Sequence, residues 1–422
     1  MNSLSIINAR VVDPANNVDG IKNIYILDGK IADVSDLVHN ADIVIDAKGM
    51  IAAPGLVDMH VHLRDPGYTQ KEDIITGCNA AAAGGVTSLL AMPNTEPVTD
   101  CAEIVEYIRE KAKNAKARVY VAAAITKGLK SIEPSDIDSL NQAGAIALSD
   151  DGRPVENTKF LADAMIKAPK KNMCVVAHCE DLYLAKGGKM NDGKISKQLD
   201  ICGIPAAAED AGTAREIAIA AAYDVPVHIC HVSTKTSVAL IRDAKKRGVK
   251  VTAETAPHYF SLTEEMLLNR DADFRMNPPL RCDDDVKEII KGLCDGTLDV
   301  IATDHAPHTP QEKSDFKNAP NGSIGMETSL SVSLTYLVDK GVLSLNQLIE
   351  KMSLNPARIL NIPAGTLSVG ANADVVIFDP DEIYMVDIEK LHGKSKNTPF
   401  KGMSLKGKVK FTVLNGEVVY KD

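Results

Sequence analysis

Short apolar runs alternate with helical segments along the middle of this chain, and this alternation constrains the fold more than any other feature. Segments between several of the runs have apolar residues at helical spacing and begin near Asp, Ser or Thr. Eight strand and helix units predict an α/β fold, a closed (β/α)8 TIM barrel. The eight runs are Leu56–Leu63, Thr87–Pro93, Arg118–Ile125, Ala145–Asp151, Cys174–Glu180, Val225–Ser233, Lys250–Tyr259 and Asp299–Pro307.

The two ends of the chain have a different pattern. Runs of alternating polar and apolar residues lie near the start, and the Asp28-Gly29 pair that follows one of them signals a tight hairpin. Short strands and a second turn of this kind recur near the end. We therefore expect residues 1–52 and 362–422 to form one small discontinuous β domain, and residues 53–361 to form the barrel.

The first apolar run ends in His60-Val61-His62-Leu63-Arg64. Residues i and i+2 of a strand project to the same side of a sheet, so both imidazoles can reach one metal ion. Arg64 continues on that side, where its charge would otherwise repel the ion. Because a guanidinium matches a carboxylate with two parallel hydrogen bonds, Arg64 indicates an anionic substrate group held beside the metal.

Other side chains of metal-binding type also lie at the ends of predicted strands. They are the doublet Asp150-Asp151 after the fourth strand, His178 in the fifth, His231 in the sixth and Asp304 after the eighth. Catalytic residues of barrel enzymes converge at this C-terminal edge of the strands. Four histidines and two aspartates there predict a centre of two zinc-like ions.

Several residues next to these candidates are expected to have other roles. Strand alternation turns Cys179 and Cys230 away from the metals, and it places His228 on the opposite strand face, in a structural role. His258 and His305 follow strand ends, where they either orient ligands or simply pack. None of these five residues is therefore predicted to bind a metal.

Composition excludes several classes of function. The net charge of −10 argues against a nucleic-acid partner, and no apolar run approaches the roughly 20 residues of a membrane span. The eight cysteines contain no Cys-x-x-Cys pair, which is typical of reduced thiols, and the start lacks the features of a signal peptide. We therefore expect a cytoplasmic protein, without membrane contacts, that acts on a small molecule.

Seven motifs occur in one order along the chain. They are HVHLRDPG at 60–67, MPNT at 92–95, SDDG at 149–152, AHCED at 177–181, HVST at 231–234, NPPLR at 277–281 and TDHAPH at 303–308. Together they resemble the type I dihydroorotases of the amidohydrolase superfamily in order and approximate spacing, and the likeness extends from about Leu4 to the C terminus. The resemblance implies reversible cyclisation of N-carbamoyl-L-aspartate to L-dihydroorotate, a step of de novo pyrimidine biosynthesis.

The resemblance also implies site residues and two zinc ions. One ion would be bound by His60 and His62 and the other by His178 and His231, with Asp151 as the bridge and Asp304 beside the metal-bound hydroxide as the proton shuttle. Asp150 is next to Asp151 but faces the other way, so we interpret it as a structural acceptor, while the doublet leaves Asp150 open as the alternative ligand. The substrate's carboxylate and ring amides would be held by Arg64, Asn94, Asn277 and His308.

The polar segment Thr309–Gly325 has two interpretations. It can act as a mobile lid whose backbone N–H groups, including that of Gly322, meet the substrate, since glycine permits close approach and helix starts favour anions. It can equally be an ordinary surface loop. The sequence leaves both interpretations open.

Alternative functions are another cyclic amidohydrolase, a dihydropyrimidinase or allantoinase, and a non-catalytic homologue that supports aspartate transcarbamoylase. Dihydropyrimidinase relatives bridge their metals with a carboxylated lysine at the end of strand four, whereas no lysine occurs here between Lys130 and Lys159. Non-catalytic homologues usually lose ligands, and this chain keeps all six. We expect a homo-oligomer, a dimer, and leave open a complex with aspartate transcarbamoylase.

Overall fold

The computed structural model describes residues 3–422, and the two residues before them lie outside that description. Eight parallel strands follow one another in chain order round one sheet, and the last approaches the first. Val61 and His305 form a parallel bridge, and the N–H of His62 donates to the His305 carbonyl at 2.8 Å. The predicted TIM barrel is confirmed. Its strands are Leu56–Val61, Val86–Ala91, Arg118–Ala123, Ala147–Leu148, Cys174–Ala177, Val227–Ile229, Val251–Thr255 and Val300–Ile301.

Helices lie between the strands and after the last one. Several begin at a side chain that accepts hydrogen bonds from the first turn: Asp73 accepts from the N–H groups of Ile75 and Thr76, and Thr234 accepts from that of Ser237. The longer helices are Ile74–Ala83, Ala102–Lys111, Ile137–Ala143, Thr158–Lys167, Ala206–Tyr223, Lys235–Lys246 and Asp283–Cys294. Shorter helical segments after the eighth strand are Pro310–Lys313, Ser329–Ser333, Leu334–Val338, Leu345–Ile349, Glu350–Leu354, Asn355–Ile359 and Ile388–Lys390.

Two layers of buried residues stabilise the barrel. The outer layer packs strands against helices, and the inner layer includes Met59 of the first strand. The pairing register of the first two strands shifts between Asp58 and Val61. This irregularity interrupts simple alternation, so that Met59 faces the interior, Val61 packs in the outer layer, and both His60 and His62 contact the ligand cluster at the C-terminal edge.

A second sheet joins the two ends of the chain. Its strands, in spatial order, are Glu417–Lys421, Ser404–Leu414, Val375–Met385, Ile51–Pro54, Ser3–Asp13, Val18–Leu27 and Lys30–Ser35, with Ile43–Asp46 also beside Ser3–Asp13. The Asp28-Gly29 turn has φ values of 48° and 77°, as its hairpin requires. The small β unit is therefore built from both ends, while its boundaries at residues 52 and 362 stay a prediction.

The helices carry one further finding. No helix within residues 3–422 combines the length and the apolar character needed to cross a membrane. The longest of them, Ala206–Tyr223, has buried glutamates at two positions of its sequence, Glu209 and Glu216.

Candidate active site

The four predicted histidine ligands surround Asp151 at the C-terminal edge of the barrel. Oδ1 of Asp151 lies 3.3 Å from Nε2 of His60, 3.5 Å from Nδ1 of His178 and 3.4 Å from Nε2 of His231. Its Oδ2 lies 3.4 Å from Nε2 of His62. Each of these side chains is at most 5 % exposed. Residues from four strands thus meet around one buried carboxylate.

Asp304 joins this group from the end of the eighth strand. Its Oδ1 lies 3.1 Å from Nε2 of His62 and 3.6 Å from Nε2 of His60. Asp304 has a φ of 48° and His231 a φ of 34°, a left-handed conformation that residues other than glycine rarely adopt. Backbone strain of this kind concentrates at functional sites, and here it lies at two of the predicted ligands.

The cluster has the donor atoms of a metal site. Two overlapping groups have ligand atoms within 4.8 Å of one another: His60, His62 and Asp151 form one group, and Asp151, His178 and His231 form the other. Nε2 of His60 and Oδ1 of Asp151 are buried without a hydrogen-bond partner. Because imidazole nitrogen and carboxylate oxygen are the ligands that zinc takes in proteins, these atoms can be satisfied by ions that share Asp151.

The ionisation of the cluster favours bound cations. Burial alone would raise the pKa of Asp151, but the imidazoles around it, His60 foremost, hold that pKa well below its usual range. Burial alone would lower the pKa of His178, but contacts with Asp151 and Glu180 raise it to about 10. The carboxylates thus draw positive charge into the cluster, and bound metal ions would supply it in place of protons.

Two histidines are oriented by residues behind them. Nδ1 of His60 lies 2.7 Å from Oε1 of Glu254, and Nδ1 of His62 lies 2.7 Å from Oδ1 of Asn94. Since both oxygens can only accept, each Nδ1 carries the proton and each Nε2 keeps its lone pair for a metal. Asn94 therefore orients His62, a predicted metal ligand. The predicted contact of Asn94 with substrate stays a prediction.

Glu254 lies in the seventh strand between two imidazoles and was not predicted as a site residue. Its Oε2 is 3.2 Å from Nε2 of His228, so His228 holds Glu254 in place. Cys230 also lies with His60 and Glu254, their ligand atoms within 4.8 Å. Cys230 belongs to neither of the two groups that contain Asp151, and its predicted orientation away from the metals stays a prediction. Because polar and apolar residues alternate in this strand, no signal in the sequence marks Glu254 as buried.

Three of the predicted substrate residues are neighbours. Nη2 of Arg64 lies 3.4 Å from Nε2 of His308, and Nε of Arg64 donates to the Pro307 carbonyl at 3.2 Å. Gly322 packs closely against His308 and Ala306, because a Cβ at position 322 would lie 3.0 Å from Nε2 of His308 and 2.7 Å from Cβ of Ala306. Only glycine fits this position, which also has a φ of 136°.

Asn277, the remaining predicted substrate residue, is tied to a second residue that the sequence analysis missed. Its Nδ2 lies 3.1 and 3.2 Å from the two carboxylate oxygens of Glu180. Oε2 of Glu180 in turn lies 3.2 Å from Nε2 of His178. Asn277 is therefore linked through one carboxylate to a predicted metal ligand.

The segment Thr309–Gly325 is anchored to the barrel. Nζ of Lys313 donates to the carbonyls of Ala272, Arg275 and Pro320 at 2.9, 3.2 and 3.0 Å, and burial lowers the pKa of Lys313 to about 7. The Gly322 N–H donates to the Arg275 carbonyl at 2.9 Å. This N–H is thus engaged within the protein, and the predicted contact of Gly322 with substrate stays a prediction.

Three residues near the predicted ligands contact other parts of the fold. Asp150 accepts from the N–H groups of Ile125 and Thr126 at 2.7 and 3.1 Å, as its structural role predicts. Nδ1 of His305 accepts from the Gly325 N–H at 3.2 Å. The ring of His258 packs edge-on against Tyr259 at 4.1 Å. None of the three belongs to the groups of ligand atoms found within residues 3–422.

Two families and several curated proteins are similar to this chain. Residues 49–237 match the family described as dihydro-orotase-like, and residues 198–420 match the family described as the amidohydrolase family. A dihydroorotase of Geobacter metallireducens is 48% identical, over 99% of this chain and 100% of the relative. A dihydroorotase of Acetivibrio thermocellus is 49% identical, over 98% of this chain and 97% of the relative.

Solved structures of the same architecture are more distant in sequence. An L-hydantoinase (dihydropyrimidinase) from Arthrobacter aurescens aligns over 100% of this chain and 96% of its own, with a TM-score of 0.89 and 26% identity. A dihydropyrimidinase from Brevibacillus agri aligns over 99% and 95%, with a TM-score of 0.86 and 26% identity. Both span the barrel and the small β unit together.

Proposed function

This chain belongs to the dihydroorotase family of the amidohydrolases, and from that premise we infer that it interconverts N-carbamoyl-L-aspartate and L-dihydroorotate in pyrimidine biosynthesis. The observation that carries the inference is the position of Arg64. A half-buried guanidinium beside His308 lies next to the cluster of six ligand-type side chains. Such a group suits a cyclic amide that bears a carboxylate, and a neutral ring gives no reason for it.

We propose that two zinc ions complete the site. His60 and His62 would hold one, His178 and His231 the other, with the carboxylate of Asp151 between them. Zinc bound in this way lowers the pKa of water and polarises a carbonyl oxygen. The support is the set of orphaned buried atoms on His60 and Asp151 and the anionic character of the cluster.

Asp304 is proposed as the proton shuttle. In the hydrolytic direction a water oxygen adds to the ring carbonyl carbon, the carbon–nitrogen bond breaks, and one proton passes from the water to the departing nitrogen. Burial would raise the pKa of Asp304, but its contact with His62 and the charges of nearby imidazoles lower it. The carboxylate is therefore ionised and ready to accept that proton.

The substrate's carboxylate is proposed to lie against Arg64 and His308, with Asn94, Asn277 and Gly322 around the ring. Arg64 and His308 come from opposite ends of the barrel sequence and meet at 3.4 Å, while Gly322 leaves room beside them. A guanidinium paired with a carboxylate both orients the ring and selects for its charge.

A panel of substrates tests the proposal. The purified protein, loaded with zinc, is assayed against dihydroorotate, dihydrouracil, hydantoin and allantoin. We expect turnover of dihydroorotate and background rates on the other three. Faster turnover of a neutral ring would establish the hydantoinase alternative, and no turnover at all with full zinc would establish the non-catalytic one.

We further propose a cytoplasmic homodimer. The support for the compartment is that the eight cysteines are all unpaired thiols. Light scattering of the purified protein tests the dimer, and a monomer would contradict it. Co-purification with aspartate transcarbamoylase tests whether the two enzymes associate.

A further inference from the structure

We propose that Glu180 is a positioning residue that fixes the side-chain amide of Asn277 with its oxygen available, so that the site accepts a hydrogen bond from an N–H group of the substrate. This inference rests on the proposed function and adds to it how the site recognises an N–H group of the substrate. Glu180 would determine that Asn277 acts as a hydrogen-bond acceptor toward the substrate, although Glu180 itself does not contact the ring.

The contacts between these two residues are specific. Nδ2 of Asn277 approaches both Oε1 and Oε2 of Glu180, at 3.1 and 3.2 Å. The Glu180 side chain is 10 % exposed, and its Oε2 also meets Nε2 of His178 at 3.2 Å. Oδ1 of Asn277, on the other side of the amide, is buried and has no hydrogen-bond partner.

The chemistry of these groups allows one orientation of the amide. An ionised carboxylate has no proton to donate, so Asn277 must turn its NH₂ group toward Glu180. Rotating the amide by half a turn would place two acceptor oxygens against each other in a buried setting, which is unfavourable. Glu180 thereby leaves Oδ1 as the atom that Asn277 can offer to a ligand.

A cyclic ureide has ring N–H donors, and its open form has amide and carbamoyl N–H donors. An acceptor held in place recognises this class of group in both directions of the reaction. A site built to hydrogen-bond a substrate N–H discriminates strongly against a ligand that lacks it, because the buried acceptor is then left unpaired. Asn277 would therefore contribute to selection of the ring as well as to its affinity.

Glu180 also touches His178, so a purely metal-related role has to be separated from the proposed one. Glu180→Gln supplies one oxygen and one NH₂ group. With its oxygen facing His178, its NH₂ group takes the Oε1 position beside Asn277, so the orientation of that amide is no longer enforced. Asn277→Ala removes the amide altogether, and the double variant shows whether Glu180 acts through Asn277. Glu417→Gln, at an exposed position in the last strand, is the matched control.

The experiment measures kcat, KM and zinc content for the wild type, the two single variants and the double variant, with dihydroorotate as substrate. We expect Glu180→Gln to lower kcat/KM about tenfold with zinc content unchanged, and to cost less than about twofold when Asn277 is already alanine. The control should match the wild type.

Any of three results would overturn the inference. An equal loss from Glu180→Gln in both backgrounds, or a parallel loss of zinc, would place the effect on His178. Wild-type activity in Glu180→Gln would show that Glu180 does not position Asn277. A zinc-loaded wild type that does not turn over dihydroorotate would instead overturn the proposed function, so the two failures are distinguishable.

Discussion

Oε1 of Glu254 accepts a hydrogen bond from Nδ1 of His60 at 2.7 Å, on the side of the imidazole away from Asp151. The pair is completely buried, and the imidazoles of His60 and His228 lower the pKa of Glu254 in spite of that burial. Glu254 thus remains an anion and determines which nitrogen of His60 carries the proton.

Replacing Glu254 tests this relationship directly. In Glu254→Gln the amide can present either an acceptor or a donor to His60, so the tautomer is no longer enforced. We expect zinc affinity to fall by about 10- to 100-fold, as measured by competition with a chromogenic chelator. Glu264→Gln, another buried glutamate, which accepts from Asn191, should leave the affinity unchanged. Unchanged affinity in Glu254→Gln would contradict the orienting role.

Asp304→Asn removes the proposed proton acceptor while preserving the shape of the side chain. We expect the fold and at least one metal to be retained and kcat to fall by about 10² to 10⁴, the usual contribution of a general acid–base group. Circular dichroism and metal analysis provide the controls. Turnover close to that of the wild type, with metal present, would rule out the shuttle.

Arg64→Met tests recognition of the substrate's charge. The variant should lose most of its activity on dihydroorotate and keep any trace activity on neutral dihydrouracil, because only the first substrate has a carboxylate to pair with the guanidinium. The ratio of the two rates is the measurement. Equal losses on both substrates would point to a defect in the metal cluster or in folding.

Asp151 is expected to bridge the metals without carbon dioxide. An aspartate is already anionic at neutral pH, whereas a lysine must first react with carbon dioxide to offer a carboxylate. After removal of metal with a chelator, zinc should restore activity equally in buffer with and without bicarbonate. Asp151→Ala should lower zinc content, because two cations would then face each other without the anion between them. A bicarbonate requirement would contradict the assignment.

Much of the barrel could be predicted from the sequence, because each buried parallel strand is a short apolar run bounded by polar residues. All eight runs overlap a strand, although the second strand begins one residue before its run, at Val86, and the fourth is only Ala147–Leu148 within a predicted span of 145–151. The pair His60 and His62 could also be placed together, since i and i+2 share a face. These predictions needed only the local pattern of apolar residues and the rule that eight strand and helix units close into a barrel.

The remaining features depend on contacts between distant residues. Glu254 looks like the polar half of an alternating strand, and only its neighbours His60 and His228 show it to be buried and paired. The register shift after Asp58 and the left-handed backbone of Asp304 leave no sequence signature. Tertiary structure imposes both, and local propensity does not favour either of them.

The pairing of Val375–Met385 with Ile51–Pro54 has a consequence for folding during synthesis on the ribosome. The early strands emerge long before their late partners are translated, so one edge of the amino-terminal sheet stays open throughout synthesis of the barrel. Open edges invite pairing with other nascent chains. We therefore expect nascent chains to be most prone to aggregation before the last segment is released. A chain truncated before Val375–Met385 would keep the open edge and remain prone to aggregation.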